Sequence, residues 1–273
     1  MKVKDVIFWV IVLFSLLVFL FPLLNVISIA FKRDIDIVSM PPRIIFRPVL
    51  DHFRIAFATG GYHFDRYFIN SILISTLSTL LTLGITILPA YSVSRYNVGG
   101  KSFLNFIISL RFFPPILFTI PFYILFSRMN LTDTILGIAI THTLMNVPIV
   151  FPIMVSFIDE VPKSIEEAAF IDGCSTWSLL GRILLPLISP GLVSIAFINF
   201  IFSWNEYLMA LILSSGKATP ITVGAGLFIR SFGVKYGELA AVTTVALIPP
   251  LAIAVILRRH IIRGLTMGIV IKG

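Results

Sequence analysis

Six stretches free of Asp, Glu, Lys and Arg organise the chain, at residues 6–31, 67–94, 112–127, 134–158, 183–205 and 239–257. A helix crossing a bilayer needs roughly 20 apolar residues, so each stretch predicts a transmembrane helix. The third is short only because Arg111 interrupts it. An arginine near a helix end snorkels toward headgroups, which moves the predicted start of that helix to the neighbourhood of Ser102. Pro114, Pro115 and Pro121 are expected to bend or break it. Freed carbonyls are tolerated in a membrane only where protein or a water-filled cavity satisfies them, so this helix is expected to face the bundle interior. The first stretch follows Lys2 and Lys4 but runs well beyond the roughly 7–15 residues of a signal-peptide core, and no small-residue cleavage site follows; it reads as a retained anchor.

Composition narrows the class to membrane proteins. The 273 residues are 58% hydrophobic and 12% charged, with a mean hydropathy of +1.01. That charged share is about half of the roughly 25% found in soluble domains, which excludes a soluble enzyme, and the residues left over by six spans leave no room for an ATPase domain. The net charge of +8 comes from Lys and Arg lying between the apolar runs, where they orient helices rather than bind nucleic acid. With six spans both termini share one side. Lys and Arg divide almost evenly between the two faces, but Lys32, Arg33, Arg43, Arg47, Arg54 and Arg66 crowd one long connection, and long segments translocate with little regard to charge. The cluster Arg258, Arg259 and Arg263 therefore places both termini in the cytoplasm. Cys174 is the only cysteine, so there is no intrachain disulfide and no cysteine metal site.

Two connections stand out. Residues 32–66 carry Pro41, Pro42 and Pro48 and then apolar positions at helical spacing over 49–57, which predicts an extended external arm with a short surface helix. Residues 159–189 set Asp159, Glu160, Glu166, Glu167 and Asp172 against Lys163 and Arg182, an acidic balance unusual for a cytoplasmic loop. Ser164 with Glu167 reads as a capping box that starts a helix. Ile165, Ala168 and Ala169 then share a face, Gly173 suits a left-handed C-terminal cap, and Ser175 can cap a second segment bearing Trp177, Leu179, Leu180 and Ile183. By local physics alone this helix, turn, helix is either a docking element or an amphipathic surface element lying on the membrane.

Spacing favours docking. Glu167-Ala168-Ala169, three residues, Gly173, nine residues and Ile183-Leu184-Leu185-Pro186 resemble the signature loop of permease subunits of binding-protein-dependent ABC importers. Asn70-Ser71, Asp172-Gly173, Ser203-Trp204-Asn205-Glu206 and the tail Arg263-Gly264-Leu265-Thr266 ending in Lys272-Gly273 are similar to the second permease subunit of maltose-type carbohydrate importers. The resemblance implies an all-α integral membrane protein of the type I ABC importer permease fold, with six transmembrane helices and a cytoplasmic coupling helix. It implies ATPase coupling through Glu166, Glu167, Ala168, Ala169, Asp172 and Gly173, and tail contacts through Leu265, Thr266, Met267 and Gly268. The implied domains are one permease unit over 1–273, an extracellular loop over 32–66, the coupling loop over 159–189 and a cytoplasmic tail over 258–273. The implied partners are a second permease in a heterodimer, two ATPase subunits that bind ATP and magnesium, an external binding protein and membrane lipid. No cofactor is expected on this chain, and the implied location is the cell membrane, multi-pass.

Within the spans, Glu206 is the residue most in need of an explanation, because a carboxylate in an apolar stretch costs at least a few kcal/mol unless paired, protonated or wet. It either lines the translocation path or sits at the outer interface against a neighbouring subunit. Asn70, Trp204 and Asn205 offer amide and indole groups suited to sugars, although asparagines in spans also join helices. His52, His63, His142 and His260 have no paired helical spacing for a metal, and no catalytic residue is expected. Two other functions remain open: a permease of the same type for a non-sugar solute, and a self-contained secondary transporter. The latter should carry paired intramembrane charges and an internal repeat, and neither is visible.

Overall fold

The computed structural model describes residues 3–230 and 233–270, with side chains over 4–229 and 233–259. Its principal helices are α1 (Val3–Ala30), α2 (Phe64–Tyr96), α3 (Gly100–Ser109), α4 (Ile116–Arg128), α5 (Ile135–Asp159), α6 (Lys163–Ile171), α7 (Ser189–Asn205), α8 (Leu208–Leu213), α9 (Tyr236–Ala246) and α10 (Ile248–Val270). Among the described residues, four stretches are long and apolar enough to cross a membrane, and two bent helix pairs bring the number to six if each pair crosses once. The predicted spans over 6–31, 67–94, 134–158 and 239–257 fall on the four long ones.

Each bent pair has a chemical cause. The third predicted helix breaks by 96° between Gly100–Phe112 and Ile116–Arg128, where Pro114 and Pro115 remove consecutive backbone donors. Pro121 does not break anything: it lies inside α4, whose helix runs on to Arg128. The fifth bends by 78° between Thr176–Leu187 and Ser189–Asn205, with Pro186 before the bend and Pro190 in the first turn after it.

Contacts divide the chain into two compact units, Met1–Phe68 with Gly224–Ile248, and Ile69–Val223 with Pro249–Gly273. In the first, Ala30, Ala240 and Ala241 form a small-residue core flanked by Val26, Ile29, Phe31 and Phe53. The expected surface helix of the long connection is present as Asp51–Arg54 continued by Ile55–Thr59. Phe64 and Phe228 stack with ring centroids 5.1 Å apart, and a short hairpin pairs Ile229 with Val234. Along α1 the side chains from Val6 to Phe21 are almost all exposed, as suits a helix whose solvent is lipid or another membrane helix.

The second unit is built on a polar face of α2. Ser71, Ser75, Ser78, Thr82 and Thr86 recur at intervals of three or four residues and are all buried. Thr79, Thr82 and Thr86 each donate to a carbonyl one turn back on α2, at 2.7 Å. Thr143 of α5 reaches the Ser78 carbonyl at 3.3 Å, and Asn199 of α7 donates to Thr79 Oγ1 at 3.1 Å. Small hydroxyl residues of this kind let membrane helices approach closely while leaving few polar atoms unsatisfied. A larger apolar core lies at one end of α2 and α5, where Ala90, Tyr91, Val150, Phe151, Met154 and Ile158 meet Ala169, Leu179, Leu184 and Ile195.

The connection between α4 and α5 is fixed by Asp133, a residue with no distinguishing signal in the sequence. Its carboxylate accepts from the backbone amides of Ser215, Gly216 and Ala218 through Oδ1 and of Lys217 through Oδ2, at 3.0 to 3.2 Å. Partial burial alone would raise its pKa, but the donated amides outweigh that and hold the carboxyl below the ordinary carboxylate range. Its stabilising contribution is therefore complete above the ordinary carboxylate range and lost as pH falls through the lowered folded-state value. Replacing Asp133 with Ala is expected to speed hydrogen exchange of the 215–218 amides by roughly tenfold, and acidification of the wild type should reproduce the effect.

Candidate functional site

The acidic loop folds around α6. The capping box is not formed, because the helix begins at Lys163 with Pro162 at its N-cap, which puts Ser164 inside the first turn. Its end follows the sequence. Gly173 adopts φ +82°, its amide donates to Phe170 O at 3.0 Å, and the Cys174 amide donates to Ala169 O at 2.9 Å. This pair of bonds is the Schellman closure, which requires a left-handed residue after the last helical one. Asp172 is the C-cap, and Cys174 packs on the core that contains Ala169. Ser175 then accepts from the Ser178 amide and starts the next helical segment, as its position in the sequence predicts.

The inward face of α6 differs from the one read from periodicity. Glu166 and Ala169 are buried, whereas Ile165, Glu167 and Ala168 are exposed together with Phe170 and Ile171. The cause is an ion pair between residues 71 apart in sequence: Arg95 Nε donates to Glu166 Oε1 at 2.6 Å, with both side chains more than nine-tenths buried. Arg95 Nη2 also donates to the Val161 carbonyl at 2.9 Å, and the Tyr91 hydroxyl donates to Glu166 Oε2 at 3.1 Å. Ser94 donates to Asp159 beside them. The last turns of α2 thus hold the end of α5, the turn that follows and α6. The exposed rim comprises Glu167, Ala168, Phe170, Ile171 at 86% exposure and Trp177 at 73%. Arg95 and Tyr91 could not be assigned this role from the sequence, since nothing local links an arginine at the end of one span to a glutamate four helices later.

The second group lies where α7 breaks into α8. Glu206 follows the last residue of α7, and its carboxylate accepts from the Met209 and Ala210 amides at 2.9 and 3.0 Å, capping α8. Oε2 also stands 3.1 Å from His142 Nε2, while His142 Nδ1 is 2.8 Å from Ser203 Oγ. The glutamate is thus paired within the chain and keeps partial exposure. Trp204 is buried and stacks on Phe200, and Asn205 is exposed with its amide donating to Ile201 O. Asn70 is apart from this group: its amide donates to the Lys217 and Thr219 carbonyls, each at 3.0 Å. Leu265, Thr266, Met267 and Gly268 fall in α10, whose backbone is helical to Val270. Lys272 and Gly273 lie outside the described residues.

A family described as binding-protein-dependent transport system inner membrane component matches residues 81–267, which include the α6 loop and both bends. The chain belongs to this family. Among its relatives, the probable ABC transporter permease protein y4oR of Sinorhizobium fredii is 33% identical over 98% of this chain and 95% of its own length. The trehalose/maltose transport system permease protein MalG of Thermococcus litoralis is 30% identical over 93% and 92%. The fold matches a chain in the crystal structure of a bacterial ABC transporter that imports the acidic polysaccharide alginate, with a TM-score of 0.74 at 19% identity, covering 94% of this chain and 96% of that one. This permease is therefore a membrane-embedded, multi-pass subunit of an ABC importer.

Two outcomes follow for the permease. Glu166→Ala leaves the Arg95 guanidinium buried without its carboxylate, a loss of about 3–5 kcal/mol for pairs of this kind. It should raise hydrogen exchange across 163–171, and replacing both Arg95 and Glu166 with Leu should recover much of the loss. Gly173→Val forces a β-branched residue to positive φ, at roughly 1 kcal/mol or more. Transport assayed in vesicles should fall while membrane insertion is retained.

Proposed function

We propose that this chain is one of two permeases of a sugar or oligosaccharide importer, forming the path for a solute delivered by an external binding protein and moved by two ATPase subunits. The observation that carries the reading is the exposed rim of α6 on a buried anchor. A surface held only by loops would absorb a push from an ATPase, whereas the Arg95–Glu166 pair and the Tyr91 hydroxyl tie this one to the end of a 33-residue helix. Closure of the ATPase pair then displaces α2 and the helices packed on it, which is what alternating access requires.

In this reading Glu167, Ala168, Asp172 and Gly173 form the docking surface, and Glu166 and Ala169 position it from inside. Leu265, Thr266, Met267 and Gly268 approach the ATPase from α10. Asn205 and Glu206 border the translocation path, Trp204 shapes it from within the protein, and Asn70 holds the 217–219 segment. The sugar assignment is supported by relatives whose names specify trehalose and maltose, arabinooligosaccharides and sulfoquinovosyl glycerol. The chain has no ATPase site of its own; ATP and its magnesium belong to the partner subunits. Both termini and α6 are cytoplasmic, and the 32–66 connection is external.

Reconstitution in vesicles tests the assignment. ATP-dependent sugar uptake should require this chain, a second permease, the ATPase and the binding protein together, and the purified chain alone should not hydrolyse ATP. Cysteines placed at Ser164 or Ser175 should react only with membrane-permeant reagents, and one placed at Ser39 should react from outside. Uptake by this chain alone, driven by an ion gradient, would overturn the proposal.

A further inference from the structure

One cluster lies apart from the transport machinery. In the compact unit that contains α1 and α9, the connection after α1 and the first turn of α9 bring together Asp34, His52 and Glu238, with one ligand atom from each within 4.8 Å of the others. His52 is buried and its Nε2 stands 2.8 Å from the Lys32 carbonyl. A carbonyl only accepts, so Nε2 carries the hydrogen and Nδ1 of the neutral ring presents a lone pair. Among the described residues that Nδ1 is buried without a hydrogen-bond partner, and it lies 3.6 Å from Oε2 of Glu238, itself buried. Asp34 Oδ1, on an exposed side chain, is 3.9 Å from the Nε2 edge of the same ring.

Two electron-rich atoms facing each other at this distance in a buried site repel unless a cation or a proton lies between them. The spacing suits a metal. Bonds of about 2.0–2.2 Å at a tetrahedral centre put neighbouring ligand atoms roughly 3.4 Å apart, close to the observed 3.6 Å. A histidine that donates its other ring nitrogen to a backbone carbonyl is oriented as metal-ligating histidines are. The second Glu238 oxygen, Oε1, is 3.5 Å from Lys235 Nζ, which leaves Oε2 to face the imidazole. A cavity of about 260 Å³ bordered by Asp34, Lys235, Tyr236 and Glu238 has room for water ligands. Gly237 makes the approach of the ring feasible, since a Cβ there would overlap His52.

We propose that His52, Glu238 and Asp34 bind a divalent first-row transition ion, zinc foremost, which clamps the connection after α1 onto the start of α9. One imidazole and two carboxylates form a mixed donor set that suits such an ion better than the all-oxygen sites of calcium or magnesium. The expectation of no metal rested on sequence spacing, and these ligands come from three segments that only the fold brings together.

The test uses the complete purified transporter, stripped with a chelator and then titrated with zinc chloride, read by hydrogen exchange of peptides covering 51–59 and 236–246. One equivalent of zinc per chain should slow exchange in both segments by roughly tenfold or more. Glu238→Gln and Asp34→Asn should each weaken the zinc response by about tenfold or more; Asp34 is exposed, so its variant keeps the packing intact. Exchange that ignores zinc in the wild type overturns the proposal, as does an undiminished zinc response in both variants. Protection that follows pH and not zinc would identify a proton between Nδ1 and Oε2 and would overturn it equally.

Discussion

A buried guanidinium and a buried carboxylate, neither tolerable alone, set the geometry on which the exposed face of α6 depends. Arg95 and Glu166 are each closed off from solvent, and the cost of stripping water from two ions is met only when the pair is close and its remaining valences are filled. The Val161 carbonyl and the Tyr91 hydroxyl supply those additional bonds. Because Glu166 must face inward, the rotation of α6 is fixed, and with it the identity of the residues left outside. Glu167, its neighbour in sequence, is exposed for the same reason that Glu166 is not.

The two bends arise in the same way. The break at Pro114 and Pro115 and the turn between Leu187 and Ser189 both interrupt apolar runs that would otherwise continue as straight helices. The second lets the segment carrying Leu179, Leu180 and Leu184 pack on the α2–α5 core before α7 departs at a new angle. The α6 loop is thus an outgrowth of a hydrophobic core, with its rim held on packed side chains rather than on flexible connections.

Much of this was legible in the sequence, because hydropathy and terminators act locally. The long apolar runs located the spans, the proline pair located a break, and Gly173 located a helix end that only a residue tolerant of positive φ can make. What was not legible depended on partners distant in the chain. The capping box at Ser164 had the right residues, but the helix starts two residues too early for it, once Pro162 turns the chain and Arg95 seizes Glu166. Pro121 had the right chemistry for a kink and sits in a helix that passes through it. Glu206 was recognisable as a costly charge, while His142, the group that faces it, could be found only in three dimensions. Asp133 looked like any loop acid until four amides were seen to converge on it.

The hydroxyl face of α2 has a mechanical consequence. Most helix-to-helix polar contacts act as fasteners, since separating them strands a donor in a dry interior. Here the threonines donate to their own helix, one turn back, and Thr143 likewise donates to Ala139 within α5 as well as reaching across. Their donors are spoken for before any neighbour arrives, and what α2 offers α5 and α7 are acceptor oxygens, met by Thr143 at the Ser78 carbonyl and by Asn199 at Thr79 Oγ1. A surface crossed by so few hydrogen bonds offers little polar resistance to a neighbour sliding or tilting against it, in contrast to the Arg95 end, where a buried ion pair fastens α2 to α6.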